Sequence, residues 1–211
     1  ILFNILLPLH YPEVFYSFVA TDYYNNLRRV LESLFKVANE YGLIPNDVCY
    51  KEDGTINMRY SCNYLLYDQV TFDNNTKNRQ GGICKGPIGD MMNTILILTN
   101  EGSHMGEDYK TEGLYFSIMA YSLQLCDILS WFGKYIKSND CISLEQMINK
   151  YDGKEFVVLK DKNNVYHCEK CVLPQEPASK FVGKEVILKE IKINSSYTKK
   201  YYPFFAKFDV K

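Results

Sequence analysis

The apolar residues of this chain change their spacing once, near residue 155, and that switch constrains the fold more than any other feature. Before it they recur at steps of three and four, the repeat of one buried helix face. After it they alternate, the repeat of a half-buried strand. The chain therefore reads as α+β, a mainly antiparallel helical bundle followed by a small antiparallel β module. The expected divisions are 1–11, the end of a possible upstream segment; 12–140, the helical domain; and 141–211, a short helix with the β module. A length of 211 residues suits one medium domain with a small appendage.

The strongest helical signal runs from Asp22 to Tyr41, where Leu27, Val30, Leu31, Leu34, Phe35, Ala38 and Tyr41 share one face. Thr21 or Asp22 can cap its start, and Gly42 followed by Pro45 ends it. The aromatic stretch Pro12 to Ala20 is expected to be a helix leading into it. Asp53-Gly54 reads as a turn, Ile56 to Gln69 as a shorter helix, and Thr71 to Gly86 as a polar loop. Pro87 suits a first helical turn, with Ile88, Met91, Met92, Ile95 and Leu98 facing inward along the helix it opens. Gly102, Gly106 and Glu107-Asp108 interrupt the pattern, and Thr111 begins the longest apolar helix, through to Lys137. Ser143-Leu144-Glu145-Gln146 is a capping box for one more short helix. Leu31, Leu34, Ile95, Ile118, Leu125 and Ile128 are the expected core.

From Glu155 the strands begin. Phe156 to Leu159, a turn at Asp161 to Asn164, and Val165 to Cys168 read as a hairpin. Glu185 to Ile193 alternates, placing Val186 and Leu188 on one side and Ile187, Ile191 and Ile193 on the other. Tyr201 to Val210 is expected to form a last strand pair interrupted by Pro203. Four short strands in so few residues cannot bury a generous core, so the module should lean on the helices.

Charge divides the same way. Residues 1–140 carry a net −5, and residues 141–211 a net +4 in which every cation is Lys. A basic module can mark an anionic partner, but lysines scattered over strands and turns fit a solvated, edge-protecting face better. Seven cysteines, an odd number without framework spacing, point to free thiols in a reducing, cytoplasmic compartment. The apolar opening Ile1 to Leu9 falls far short of the roughly 20 residues of a bilayer span and lacks a basic leader. No membrane association is expected. The chain starts without Met, so a further N-terminal segment or domain is expected upstream.

Few motifs carry chemistry. Cys168-Glu169-Lys170-Cys171 has the spacing of half a zinc knuckle, but four ligands are needed and only His167 and Cys141 are near. Two free thiols at a hairpin are expected there, with no metal and no cofactor. Gly81 to Gly86 lacks the Gly-Lys-Ser/Thr ending of a phosphate loop.

One constellation remains. An apolar helix ends in Thr99-Asn100-Glu101-Gly102-Ser103-His104, and an earlier helix carries Asn26-Leu27-Arg28-Arg29-Val30-Leu31-Glu32. Together, over about residues 12–138, they resemble the HEPN superfamily, most of all its uncharacterised bacterial branch. That resemblance implies a helical dimerisation domain, a homodimer, RNA as the partner, and a setting in bacterial defence or stress. Active members of that family carry Arg, a polar residue, three variable positions and His, and cleave RNA without metal. Asn100 and His104 match the polar residue and the His, the candidate catalytic pair; the Arg position holds Thr99. Losing that cation removes charge stabilisation, usually one of the strongest contributions to catalysis. Arg28 or Arg79 is a candidate replacement and nucleic-acid contact. Two readings follow: a catalytically weak or silent nucleic-acid-associated module, or an active ribonuclease using Asn100 and His104. The bland alternatives are that His104 bonds a nearby carbonyl and that Arg28 only pairs with Glu32 along its helix.

Overall fold

In a computed structural model of the protein, the residues described are 6, 11, 20–67, 82–102, 115–195 and 202–210. Among them lie seven helices: α1 (Ala20–Glu40), α2 (Asn46–Cys49), α3 (Met58–Tyr67), α4 (Pro87–Gly102), α5 (Tyr115–Ser138), α6 (Leu144–Tyr151) and α7 (Gln175–Ala178). The strands are β1 (Glu155–Val157), β2 (Leu159–Lys160), β3 (Tyr166–Cys168), β4 (Cys171–Val172), β5 (Glu185–Ile193) and β6 (Phe204–Val210). The expected helix over 12–19, the start of the long helix at 111–114, the breakers Gly106 and Glu107-Asp108, and most of the polar loop lie outside the described residues. No described helix is long and apolar enough to cross a membrane.

The chain divides into two units, residues 1–36 with 56–139, and residues 37–55 with 140–211. In the first, α4 packs against both α3 and α5. Leu31, Leu34, Ile95, Ile118, Leu125 and Ile128 are all buried, as the period of three and four required. Tyr23 and Ser122 share a buried hydrogen bond, and Ser122 also donates to the Ile118 carbonyl at 2.8 Å. Helix α1 already includes Thr21 and Asp22, so neither is its cap; Asp22 sits in the first turn, where a carboxylate favours the helix dipole. Gly82, part of the glycine-rich run, lies against α3 so closely that a Cβ would stand 2.1 Å from the Leu66 carbonyl carbon. Its glycine serves packing.

The second unit begins at the end of α1. Leu43 N donates to the Ala38 carbonyl at 2.8 Å and Gly42 N to that of Asn39 at 2.7 Å, a Schellman ending with Gly42 at φ 65°. A Cβ on Gly42 would meet Pro203 Cβ at 2.5 Å. Asn46 N donates to Asn194 O, and Asn194 N to Pro203 O, so the segment after α1 is tied to the ends of β5 and β6. Ser143 and Gln146 form the expected capping box of α6, and Met147 of that helix is buried in the core of the sheet.

The expected plan of a helical bundle followed by a small antiparallel β module does not hold. The strands form one six-stranded mixed sheet in the order β1-β5-β6-β4-β3-β2, with β4 and β6 parallel. Its two end strands are consecutive in the chain, separated by Val158 alone. The run 155–160 therefore pairs with β5 through its first half and with β3 through its second, curling the sheet into a nearly closed, barrel-like form. Curvature lets the sheet surround a core of its own, including Val158, Leu173, Val186, Phe204 and Ala206.

A β-bulge sets which residues enter that core. Lys189 pairs with Lys207 and Lys192 with Phe205, so Glu190 and Ile191 together face Ala206 alone. Glu190 takes φ 50°, and the parity of the strand reverses there. Ile191 and Ile193 consequently join Val186 and Leu188 inside, rather than occupying the opposite side as plain alternation requires. Across the sheet, Ile193, Phe204, Cys171 and Cys168 form one buried row. The adjacent row of Lys192, Phe205, Val172, His167 and Leu159 faces outward. The last segment is one strand beginning after Pro203.

Two substitutions test these assignments by equilibrium denaturation. Leu125→Ala, deleting a side chain with no exposure, should destabilise the helical unit by about 2–5 kcal/mol. Gly42→Ala should cost roughly 1 kcal/mol or more, from its positive φ and the Pro203 contact. An unmoved midpoint in either would show that the face or the turn is wrongly assigned.

Candidate functional site

Two helices of the first unit place a row of polar side chains along one groove. On α3, Arg59, Asn63 and Tyr67 recur every four residues; on α4, Asn93, Leu96, Ile97 and Asn100 cover two turns of one face. Together these described residues line a cavity of about 360 Å³. Leu96 is buried, whereas Ile97 stays half exposed, so an apolar strip lies among four amide and guanidinium groups.

The rim of this groove at Asn100 holds part of the constellation expected from the sequence. Arg28 Nη1 donates to Asn100 Oδ1 at 3.2 Å, and Arg28 Nε donates to Glu32 Oε1 at 3.3 Å. Arg28 thus forms the expected ion pair with Glu32 one turn on, and it also reaches Asn100. Both partners of that ion pair are about one-third exposed, so its contribution to stability is small. The guanidinium keeps further donors beyond these two bonds. Thr99 is fully buried and donates from Oγ1 to the Leu96 carbonyl at 3.1 Å. A long cationic side chain at position 99 would start from the core face of α4, away from Asn100. His104 and Arg79 lie outside the described residues.

The cysteine pair belongs to the sheet. Glu169 and Lys170 form a two-residue hairpin turn, with Glu169 at φ 49°, that sets Cys168 opposite Cys171. Both are buried free thiols, and Cys168 Sγ donates to Val157 O at 3.3 Å. His167 points to the opposite face, stacked on Tyr202 with centroids 4.8 Å apart. Adjacent strand residues face apart, which separates His167 from the Cys168 sulfur. Among the described residues no three His, Cys, Asp or Glu side chains converge as a metal site.

The groove leaves no motif in the sequence. Arg59, Asn63 and Tyr67 carry a four-residue step, a weak signal on a short helix whose apolar face dominates its pattern. Asn93 hides in a run of apolar residues. No family model, curated protein or solved structure matches the chain.

Burial pushes the Cys168 thiol up to about 11 and the Cys171 thiol up to about 12, from an ordinary 9.0. Burial likewise raises Cys62 and Cys84 to about 12. At pH 8, iodoacetamide should modify the half-buried Cys126 and Cys141 in the native protein, and these four only after unfolding. Because folding raises these values, their contribution to stability is complete below pH 9 and lost as pH rises through 11–12. Peptide mapping after brief alkylation checks the first statement; rapid native labelling of Cys171 would contradict it.

Proposed function

We propose that the helical unit is a HEPN-like, nucleic-acid-associated module that binds single-stranded RNA along the groove between α3 and α4 and cleaves it weakly or not at all. The observation that carries this reading is the Arg28–Asn100 hydrogen bond at the groove rim. It brings together two residues that the family resemblance singles out on separate helices. Arg59 on the opposite helix adds a second cation to the same groove, and paired cations beside a groove suit a phosphate backbone. The resemblance further implies a homodimer and a role in a bacterial defence or stress system.

The weakness of cleavage follows from Thr99. Without a motif arginine beside Asn100, one charge-stabilising donor is lost, which lowers a rate by roughly 10²–10³. A specific observation also favours the second reading, an active metal-independent ribonuclease: Arg28 delivers a guanidinium to Asn100 from another helix.

The test titrates fluorescent single-stranded RNA with wild type, Arg28→Gln, Arg59→Gln and His104→Ala, in chelator and over a range of salt. Each arginine variant should weaken binding several-fold and reduce the salt slope by about 0.7, the counterion release of one phosphate contact on a single strand. Cleavage by wild type should be slow. Absent binding at low salt, or arginine variants indistinguishable from wild type, would remove the proposal. Fast cleavage abolished by both His104→Ala and Arg28→Gln would establish the active reading instead. Sedimentation of the same samples reads the dimer directly.

A further inference from the structure

The groove holds more polar chemistry than a phosphate backbone needs. Asn63 is only 8% exposed and lines the cavity, and its amide has no hydrogen-bond partner among the described residues. Its amide atoms are not sealed from solvent, so at the cavity wall they are open to a ligand that replaces water in bonding them. Asn93 on the facing helix adds a second amide, also without a hydrogen-bond partner among the described residues.

We infer that the groove between α3 and α4 is a subsite for one unpaired nucleobase, read along its polar edge by the amides of Asn63 and Asn93. This rests on the proposed RNA binding and names what that site selects. An asparagine amide sets a donor and an acceptor side by side, the arrangement that pairs with the adjoining acceptor and donor on a base edge. Unstacked bases of single strands expose those edges, whereas duplexes hide them. The rest of the wall suits a flat heteroaromatic ring. Leu96 and Ile97 are apolar, and Tyr67 contributes an aromatic side chain. The volume, about 360 Å³, lies within the roughly 300–1,000 Å³ of small-ligand sites. Two cations flank the groove: Arg59 on α3, exposed and without an ion-pair partner among the described residues, and Arg28 bonded to Asn100. They suit a phosphate next to one inserted base.

The full chain is titrated with fluorescent ten-residue strands of A, C or U, each as RNA and as DNA, and with an abasic strand of equal length. Asn63→Leu keeps the side chain's shape while removing its hydrogen bonds; Asn93→Ala, on a less buried position, guards against misfolding of the first. Circular dichroism confirms that both variants fold. Wild type should prefer one base by tenfold or more and bind the abasic strand weakest. Both variants should flatten that preference while leaving the salt slope unchanged, since they remove edge contacts and no charge. Equal preference for RNA and DNA would assign recognition to the base alone; a preference for RNA would add the 2′-hydroxyl to the same subsite. Binding to all strands alike, or a base preference that survives both substitutions, overturns the subsite and leaves the RNA reading standing. No binding to any strand at low salt overturns the RNA reading itself.

Discussion

The core enclosed by the sheet depends on one six-residue run hydrogen-bonding on both its sides. Residues 155–157 pair with β5 and residues 159–160 with β3, so what would be two exposed edges become halves of one strand. Open edges invite association with other strands, and a flat sheet of these short strands would leave its inner face half wet. Curling solves both problems together. Val158, at the join, is fully buried and exchanges backbone bonds with the segment 183–184. The described lysines of this part of the chain fall on the outside, where Lys189 pairs with Asp209 and Lys207 with Glu190. The solvated face expected from their scatter is therefore what the sheet displays, stabilised little by such exposed pairs.

That arrangement explains which parts of the fold are legible in the sequence. Helices α1, α4, α5 and α6 are readable because their signals are local: a face repeats every three to four residues, Gly42 stops one helix, and Ser143 with Gln146 starts another. Strand β5 is legible from Glu185 to Ile193, yet the side to which Ile191 and Ile193 turn is not. A single bulge residue with a left-handed backbone, here a glutamate rather than a glycine, leaves no sequence mark and reverses every later side chain. The parallel pairing of β4 with β6 is equally hidden. It joins residues some 33 positions apart through backbone bonds alone, and no composition encodes that. The β core is larger than the sequence suggests for the same reason, since hairpins read one at a time cannot show that their inner faces meet.

The site divides in the same manner. Short motifs single out Asn100 and Arg28, but their meeting at 3.2 Å depends on how α1 and α4 pack. As a motif position, Thr99 registers only as a missing cation. Its burial is nevertheless available from helix arithmetic, because Thr99 lies four residues from Ile95 and seven from Met92, both fully buried. Asn63, buried in a short helix among Cys62, Tyr64 and Leu65, gives no outward sign that its amide opens into a groove.

The positions of Thr99 and Arg28 together bear on what the groove can do with charge. A motif arginine beside Asn100 on the same helix would bring an unshared guanidinium to the ligand. Arg28 instead arrives already holding Glu32, so the carboxylate cancels part of its field, while Asn100 occupies one of its terminal donors. Such a guanidinium orients well, since two partners fix its plane, but stabilises new negative charge less than an unpaired one in the same place. Orientation serves recognition, where the anion is present from the start. Cleavage needs charge stabilisation that grows only in the transition state. For the RNA binding we propose, the same side chain is therefore better matched to holding a strand than to breaking it, with the attraction supplied by Arg59 across the groove, which has no ion-pair partner among the described residues.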